Sequence, residues 1–348
     1  MRLAFVSDLY YPSIGGTQML CKGIAEWFRD QGHEIEIITS PDSNREDLGY
    51  KINEVVGADI SQIEKVKNNY YDAIFVLADL TSNSLLFDYS CLKSNSILIF
   101  NLDENVYQWV HNGLIKDLST RLENIKSFRN IVSYCLDAPV NKFLEENGIP
   151  HSFIPNFSRD MNSISDAKIK KEKLGITKKI IFNHSAIETR KNQFNLIKCF
   201  KSSDLVEEYD LVLLGSPRGG QIELEYLKKC MKEKTESIHF LKGTNKEEII
   251  SSMLKMSDVF IMPSVAEGLP LCILEAMSVD LPWVSTPCGG VPRILGNLDC
   301  GIVLSNFNLD PRDLSDSIRK ASSLGSSRKV WLSKFTIDII MSKYKELL

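Results

Sequence analysis

Several patterns that would place a protein in a common class are missing from this chain. Its eight cysteines include no Cys-x-x-Cys pair, and its five histidines show no His-x-x-x-His spacing. We therefore expect reduced thiols and no dedicated metal cage. No apolar run approaches the roughly 18 to 20 residues of a membrane-spanning helix, and we find no signal peptide. These absences predict a cytoplasmic protein whose membrane contacts, if any, are peripheral on the inner face.

Other absences narrow the function. No Gly-x-Gly-x-x-Gly follows the first apolar run, Leu3 to Val6, which disfavours an NAD-binding oxidoreductase. No Asp-x-Asp pair ends a predicted strand, so we expect no required metal or cofactor. The net charge of −4 lacks the overall positive charge that is typical of nucleic-acid-binding proteins. The expected partners are small molecules or lipid-linked ones.

The order of the apolar segments predicts an α/β protein of two domains. A chain of 348 residues is longer than a domain with a single hydrophobic core usually is. Short apolar runs alternate with helical patterns, which favours parallel sheets with helices on both faces. The predicted strands lie near 3–7, 34–39, 73–78, 96–101 and 131–134, and near 179–183, 210–215, 237–241, 258–262 and 282–285.

A polar segment separates the two sets of strands. Phe157 to Lys173 is rich in Ser, Asp and Lys, and we interpret it as an inter-domain linker and hinge. The predicted domains are 1–158 and 159–329. The last segment, 330–348, has the pattern of an amphipathic helix with Trp331, Phe335, Ile339 and Met341 as its apolar residues.

The most informative part of the sequence predicts a strand, a loop and a helix. The apolar run Val259 to Met262 is followed by a Gly/Pro loop, and then Leu271, Leu274 and Met277 recur at helical spacing. Pro270 suits the first turn of that helix, because a proline there costs no backbone hydrogen bond. The loop therefore aims free N–H groups outward.

Such a helix start suits an anionic ligand. A second turn that exposes backbone follows at Gly289-Gly290, and together the two favour a group such as a diphosphate. Glu267 lies in the loop, and Glu275 lies within the helix. Taken alone, both glutamates are compatible with solvated helix residues.

The string as a whole resembles the donor-binding signature of the retaining GT-B glycosyltransferases of family 4. It reads Glu267, seven residues, Glu275, and then Gly289-Gly290-Val291-Pro292. The resemblance implies two Rossmann-like domains facing a central cleft. The first domain would bind the acceptor, the second would bind a nucleoside-diphosphate sugar, and the terminal helix would return to the first. Arg293 departs from the pattern, because many relatives carry an acid there.

The resemblance also implies roles for individual residues. Glu275 would hold the ribose hydroxyls of the nucleotide, and Glu267 would contact the sugar. Gly215 and Lys242, at the ends of two neighbouring strands, would lie beside the base. The loop residues whose backbone would meet the phosphate or the sugar are Gly268, Leu269, Pro270 and Leu271.

Two cations follow the first strand of the second domain. Arg190 and Lys191 precede an apolar-periodic helix, and cations there suit a departing diphosphate, on which negative charge grows as the sugar bond breaks. We predict Arg190, Lys191 and Glu267 as the catalytic residues, with Lys191 the stronger cation. Many relatives carry an arginine five residues before this lysine, where Ala186 stands here. The alternative is that both cations are surface charges at a helix start, where the helix dipole disfavours them.

The loop after the first strand matches the family's Pro-x-x-Gly-Gly loop through Pro12, Gly15 and Gly16. In the family this loop touches the donor phosphate or the acceptor. Asp8, just before it, is either a polar contact or a turn residue.

One family feature is missing from the first domain. Relatives often place a His-Asp pair after the strand equivalent to 97–100, but this chain has no histidine there. Asp103 and His111 remain as candidates on the acceptor or sugar side.

The sequence thus predicts a hexosyltransferase-type glycosyltransferase that moves a sugar from a UDP or GDP sugar to a glycan or lipid-linked acceptor with retention of configuration. Its Lys-, Asn- and Ile-rich usage favours bacterial surface-polysaccharide or lipopolysaccharide synthesis. Eight residues at about 1.5 Å each separate the two glutamates by roughly 12 Å, less if the loop folds back. That is too far for double displacement, which needs about 5 Å. The alternatives are a catalytically silent nucleotide-sugar-binding protein and a hydrolase, phosphorylase or epimerase.

Overall fold

The structure is a computed structural model. It describes residues 1–12, 15–42, 48–55, 63–79, 81–86, 95–100, 110, 112–133, 138–217 and 219–348. This part of the chain forms two compact units, one of Met1–Phe157 with Ile337–Leu348 and one of Ser158–Thr336.

The first unit contains a seven-stranded sheet in which every neighbouring pair is parallel. Its strands are β1 Arg2–Ser7, β2 Glu34–Thr39, β3 Lys51–Glu54, β4 Ala73–Ala78, β5 Asn95–Phe100, β6 Asn130–Ser133 and β7 Ser152–Phe153. Their order is β3-β2-β1-β4-β5-β6-β7. All residues of β4 and β5 are buried, as expected of central parallel strands covered on both faces.

Helices accompany this sheet as the alternating pattern predicts. They are α1 Gly16–Asp30, α2 Glu64–Lys67, α3 Leu118–Lys126 and α4 Ala138–Glu146. On α1, Leu20, Ile24 and Phe28 recur at helical spacing and are buried. Phe28 lies 5.5 Å from Phe75 of β4, ring centre to ring centre, so the apolar stripe of α1 packs on the sheet.

The second unit contains a six-stranded parallel sheet in the order β10-β9-β8-β11-β12-β13. Its strands are β8 Lys179–His184, β9 Tyr209–Gly215, β10 Ile238–Lys242, β11 Val259–Met262, β12 Trp283–Ser285 and β13 Gly301–Val303. The helices are α5 Gln193–Lys201, α6 Gln221–Met231, α7 Glu247–Met256, α8 Leu271–Ser278, α9 Pro311–Ala321 and α10 Ser327–Lys334. Of the helices in the described part of the chain, none is long and apolar enough to cross a membrane.

The segment predicted as one terminal helix is divided between the units. Helix α10 ends at Lys334, and α11 runs from Ile337 to Lys345. Trp331 and Phe335 are buried in the core of the second unit, whereas Met341 is buried in that of the first. The chain therefore changes unit at 336–337, later than the boundary of 330 that the sequence suggested, because the apolar residues on its two sides pack in different cores.

The linker prediction is wrong for its first residues. Met161 is 2% exposed in the core of the second unit, and its backbone N–H donates to Ser278 Oγ at 3.0 Å. Asp160 forms a bidentate ion pair with Arg328, both contacts measuring 2.8 Å. The polar composition suggested a hinge. A local sequence pattern does not show that the partners of these residues, Ser278 and Arg328, lie far away along the chain.

All ten predicted strands are present, but the sequence analysis missed β3, β7 and β13. Each of the three lies at an edge of its sheet. They are short and only partly buried. An edge strand needs no continuous apolar run, so its sequence gives a weak signal.

Candidate functional site

Two paired strands of the second sheet end at one edge and lead into the predicted catalytic residues. Strands β8 and β11 are parallel neighbours. The chain leaves β8 for the single helical turn Thr189–Lys191, and it leaves β11 for the loop that contains Glu267. Because the carboxyl ends of parallel strands meet at the same edge, Lys191 and Glu267 come together although 76 residues separate them.

Glu267 lies between two cations. Its side chain is almost completely buried, and Lys191 Nζ donates to its Oε1. Arg190 Nη1 lies 3.3 Å from its Oε2. A buried carboxylate requires such partners, because burial without them favours its neutral form. The structure thus brings together the three residues that the sequence analysis selected as catalytic.

The cations determine the charge of Glu267. Burial by itself raises the pKa of this carboxyl group, but Lys191 and Arg190 outweigh burial and hold the pKa below its usual range. Glu267 is therefore ionised at neutral pH. Burial and the charge of Lys191 also lower the pKa of His184, to about 4. The imidazole of His184 is therefore uncharged at neutral pH.

Hydrogen bonds join the turn after β8 to the loop after β11. Asn192 adopts a left-handed conformation, with φ of 59°, at the start of α5, and its Nδ2 donates to the carbonyl of Pro263 at 3.1 Å. The N–H of Val265 donates to the carbonyl of Arg190 at 2.9 Å. The positions of Lys191 and Glu267 are therefore coupled through the backbone as well as through their charges.

The start of α8 is open to an anion. Pro270 occupies the position before the first helical residue, with an extended conformation, and its side chain makes no capping hydrogen bond. The N–H groups of the first turn point out of this end of the helix, and no side chain in the described part of the chain accepts from them. They and the helix dipole favour a negatively charged ligand at this end.

The glycine turn after β12 packs directly against the loop of Glu267. Gly289 has φ of +51°, and a Cβ at this position would overlap the carbonyl oxygens of Glu267 and Gly268. The N–H of Gly290 donates to the Gly268 carbonyl at 2.8 Å. Leu269 is 2% exposed and anchors the loop in the apolar core. The Gly289-Gly290 turn thus fixes the backbone of the loop that contains Glu267.

The other residues that we predicted to bind the sugar donor lie in the second unit. Glu275 is half-buried in α8, and burial raises its pKa against the opposing influence of Arg159. Among the described residues, no donor forms a hydrogen bond with its carboxylate. Gly215 and Lys242 are paired at the ends of β9 and β10. Lys242 is exposed.

The first unit has its own polar cavity at the carboxyl ends of β1 and β4. The cavity measures about 190 Å³, and its polar lining comes from Ser7, Asp8, Thr17, Gln18, Asp79, Thr81 and Ser82. Gly15 and Gly16 form the start of α1. Asp8 accepts a hydrogen bond from the N–H of Ser84 at 3.1 Å, so it fixes a turn and also lines the cavity. Asp103 and His111 lie outside the described residues.

Sequence reasoning missed Glu188. Its Oε1 lies 2.8 Å from Arg190 Nη2, which makes it a second carboxylate at the site. Glu188 and Arg190 lie in a short turn outside the apolar patterns that mark helices and strands, so no pattern singled this residue out. In the described part of the chain, no group of three or more His, Cys, Asp or Glu side chains could hold a metal ion.

Comparison with known proteins finds similar sequences and similar solved structures. Residues 165–334 match the family model described as glycosyl transferases group 1. The match covers just under half of the chain and lies within the second unit. An N-acetyl-alpha-D-glucosaminyl L-malate synthase of Bacillus anthracis is 24% identical to this chain, over 84% of this chain and 81% of that protein. A shorter match reaches 37% identity, but there the chain spans only 17% of its relative's length.

Solved structures of glycosyltransferases match almost the whole chain. WaaG, described as involved in lipopolysaccharide biosynthesis, superposes with a TM-score of 0.71 at 15% identity over 99% of this chain and 98% of that chain. Anabaena Alr3699/HepE in complex with UDP-glucose superposes with a TM-score of 0.74 at 15% identity and the same coverage. The predicted fold class, α/β of the GT-B type, and the predicted enzyme class are confirmed.

Replacing Gly289 by alanine tests the packing of the glycine turn. A non-glycine residue in the left-handed conformation costs about 1–2 kcal/mol. We expect Gly289→Ala to lower the free energy of unfolding by more than this, because the added Cβ also displaces the Glu267 loop. Gly175→Ala is the control, since Gly175 has φ of +72° with only one atom, at 3.8 Å, near the added Cβ. Urea unfolding measures both. Equal losses would contradict the proposed packing.

The lowered pKa of His184 predicts a pH dependence of stability. The unfolded chain binds a proton at this residue near pH 6.5, whereas the folded protein does so near pH 4. Between these values the unfolded state binds more protons, so the free energy of unfolding falls as the pH falls, by at most about 1.4 kcal/mol per unit. His184→Asn should make this slope shallower in urea titrations at several pH values, and His151→Asn should leave it unchanged. An unchanged slope in His184→Asn would refute the assignment.

Proposed function

We propose that this protein transfers a sugar from a nucleoside-diphosphate sugar to a glycan or lipid-linked acceptor, with retention of configuration, in the synthesis of a bacterial surface polysaccharide. The observation that carries the proposal is the uncapped start of α8 beside Lys191 and the buried, ionised Glu267. The match of residues 165–334 to the model of the group 1 glycosyl transferases supports the class of reaction.

The diphosphate of the donor is the ligand that this edge of the sheet suits. Backbone N–H groups at the start of α8 supply donors, and Lys191 supplies a positive charge. Both are fixed before the ligand arrives, so they cost no reorganisation when negative charge develops on the leaving oxygen. The UDP-glucose bound to the related HepE supports a nucleotide sugar as donor.

Glu275 is our candidate for the ribose hydroxyls. Its carboxylate is half-buried and, among the described residues, receives no hydrogen bond from the protein. Burial that raises its pKa makes ligand hydroxyl donors favourable partners. Gly215 and Lys242, at the ends of the next two strands, are the candidates for the base.

The ion pairs of Glu267 favour a binding role over a nucleophilic one. Its carboxylate already faces Lys191 and Arg190, and their positive charges lower its basicity. We therefore propose a front-face transfer. The leaving diphosphate accepts the proton of the acceptor hydroxyl as the new glycosidic bond forms and the bond to the diphosphate breaks, while Lys191 and the N–H groups of α8 stabilise the charge.

The acceptor is proposed to bind the first unit. The polar cavity beside Gly15 and Gly16 supports a hydroxyl-bearing ligand, because carboxylates and hydroxyls of its lining both bond to sugar hydroxyls. The likeness to WaaG, which is described as acting in lipopolysaccharide biosynthesis, supports a surface-polysaccharide acceptor.

Thermal unfolding in the presence of UDP, GDP, ADP, CMP or NAD tests the donor site. One nucleoside diphosphate at 100 times its Kd should add about 2.7 kcal/mol of stability. Glu275→Gln should weaken its binding by about tenfold or more, since a hydrogen bond to a charged group is lost. The exposed Glu236→Gln is the control and should bind as the wild type does. No stabilisation, or stabilisation by NAD alone, would refute the proposal. Donor binding with no transfer to any acceptor would instead identify a catalytically silent protein.

The anomeric configuration of the product tests the mechanism. Once a donor and an acceptor are found, we expect the product to keep the configuration of the sugar in the donor. The proton coupling at the anomeric carbon, measured by NMR before the product equilibrates, reports it directly. An inverted product would exclude front-face transfer, because inversion requires attack from the opposite side.

A further inference from the structure

Arg190 occupies an unusual position in the site. Many members of the family that the sequence resembles carry an arginine at the position of Ala186, and in this chain Arg190 stands beside Lys191 instead. One role for it is to replace the missing cation at the diphosphate. Its contacts in the folded protein indicate a different role.

The guanidinium of Arg190 connects two segments of the second unit. Nη1 donates to the backbone carbonyl of Ala266 at 2.7 Å. Nη2 lies 2.8 Å from Oε1 of Glu188, on the turn after β8. The backbone carbonyl of Arg190 accepts from Val265, so main chain and side chain both hold the loop after β11.

The geometry of these bonds requires an arginine. A guanidinium is planar and presents several N–H groups in a rigid fork, so it can bind a carbonyl and a carboxylate at the same time. A lysine ammonium in its place would supply the charge without the fork. Glu188 completes the arrangement, because it fixes the side of the guanidinium that faces away from Ala266.

We infer that Arg190 is a positioning residue that, together with Glu188, clamps the Val265–Glu267 segment and so places the Glu267 carboxylate. Lys191 is then the cation that meets the diphosphate. The inference rests on the proposed function for its effect on ligand binding, but the clamp itself is a property of the ligand-free protein.

The two roles of Arg190 predict opposite effects of Glu188→Gln. If Arg190 binds phosphate, removal of the competing negative charge of Glu188 tightens nucleoside-diphosphate binding. If Arg190 is a clamp, Glu188→Gln weakens the clamp and therefore weakens binding. A clamp also predicts that Arg190→Lys behaves like Arg190→Met, since charge alone does not restore the fork.

The test compares Arg190→Met, Arg190→Lys, Glu188→Gln and the double variant Arg190→Met/Glu188→Gln. The control is Arg319→Met, because Arg319 also pairs with two carboxylates, Asp204 and Glu208, but on the surface of the same unit. The first measurement is hydrogen exchange of the amides in 263–269 without ligand. The second is the dissociation constant of UDP and of GDP.

We expect amide exchange in 263–269 to accelerate about tenfold to a hundredfold in both Arg190 variants, the range for loss of a hydrogen bond to a charged group. Glu188→Gln should accelerate it in the same direction, and the double variant should add little to Arg190→Met. Nucleoside-diphosphate binding should weaken in parallel, whereas Arg319→Met should change neither quantity.

Unchanged exchange in the Arg190 variants would overturn the inference, and so would tighter binding in Glu188→Gln. If Arg190→Met does not fold, Arg190→Lys and Glu188→Gln decide the question alone. If neither UDP nor GDP binds the wild type, the proposed function fails, but the exchange rates still test the clamp.

Discussion

The buried carboxylate of Glu267 is the constraint on which the candidate site depends. A carboxylate removed from water stays ionised only beside positive charge, and here Lys191 and Arg190 supply it. These cations belong to a turn that follows a different strand. The ion pairs therefore require β8 and β11 to be neighbours in the sheet, and in return they fix the two loops that leave its edge.

Small residues let the backbone complete the site. Gly289 approaches the Glu267 and Gly268 carbonyls more closely than any residue with a Cβ could, and Gly215 makes equivalent room for the carbonyl of Ser185. Pro270 leaves the first turn of α8 without a side-chain cap. Each glycine leaves out the Cβ, and the proline has no side-chain acceptor, so that backbone N–H groups and carbonyls can take positions that side chains would otherwise fill.

The sequence predicted most of the regular structure, because central parallel strands read as apolar runs. It failed where a residue's environment comes from distant partners. Met161 lies in a polar stretch that suggested a hinge, yet it is buried beside Ser278. Trp331 and Met341 suggested one helix, but they pack in the cores of different units. Among the site residues, Glu188 was missed because only its contact with Arg190 marks it as part of the site, and its position in the sequence does not.

The sequence by itself determined the parallel α/β architecture and the residue types of the site, since periodicity and the spacing of Glu267, Glu275 and Gly289-Gly290 are local properties. Only the tertiary structure decided which charges are neighbours. Lys191 and Glu267 are 76 residues apart, and Arg190 reaches Ala266 as well as Glu188. The fold decides because an ion pair depends on distance in space, and the parallel sheet brings the ends of remote strands to one edge.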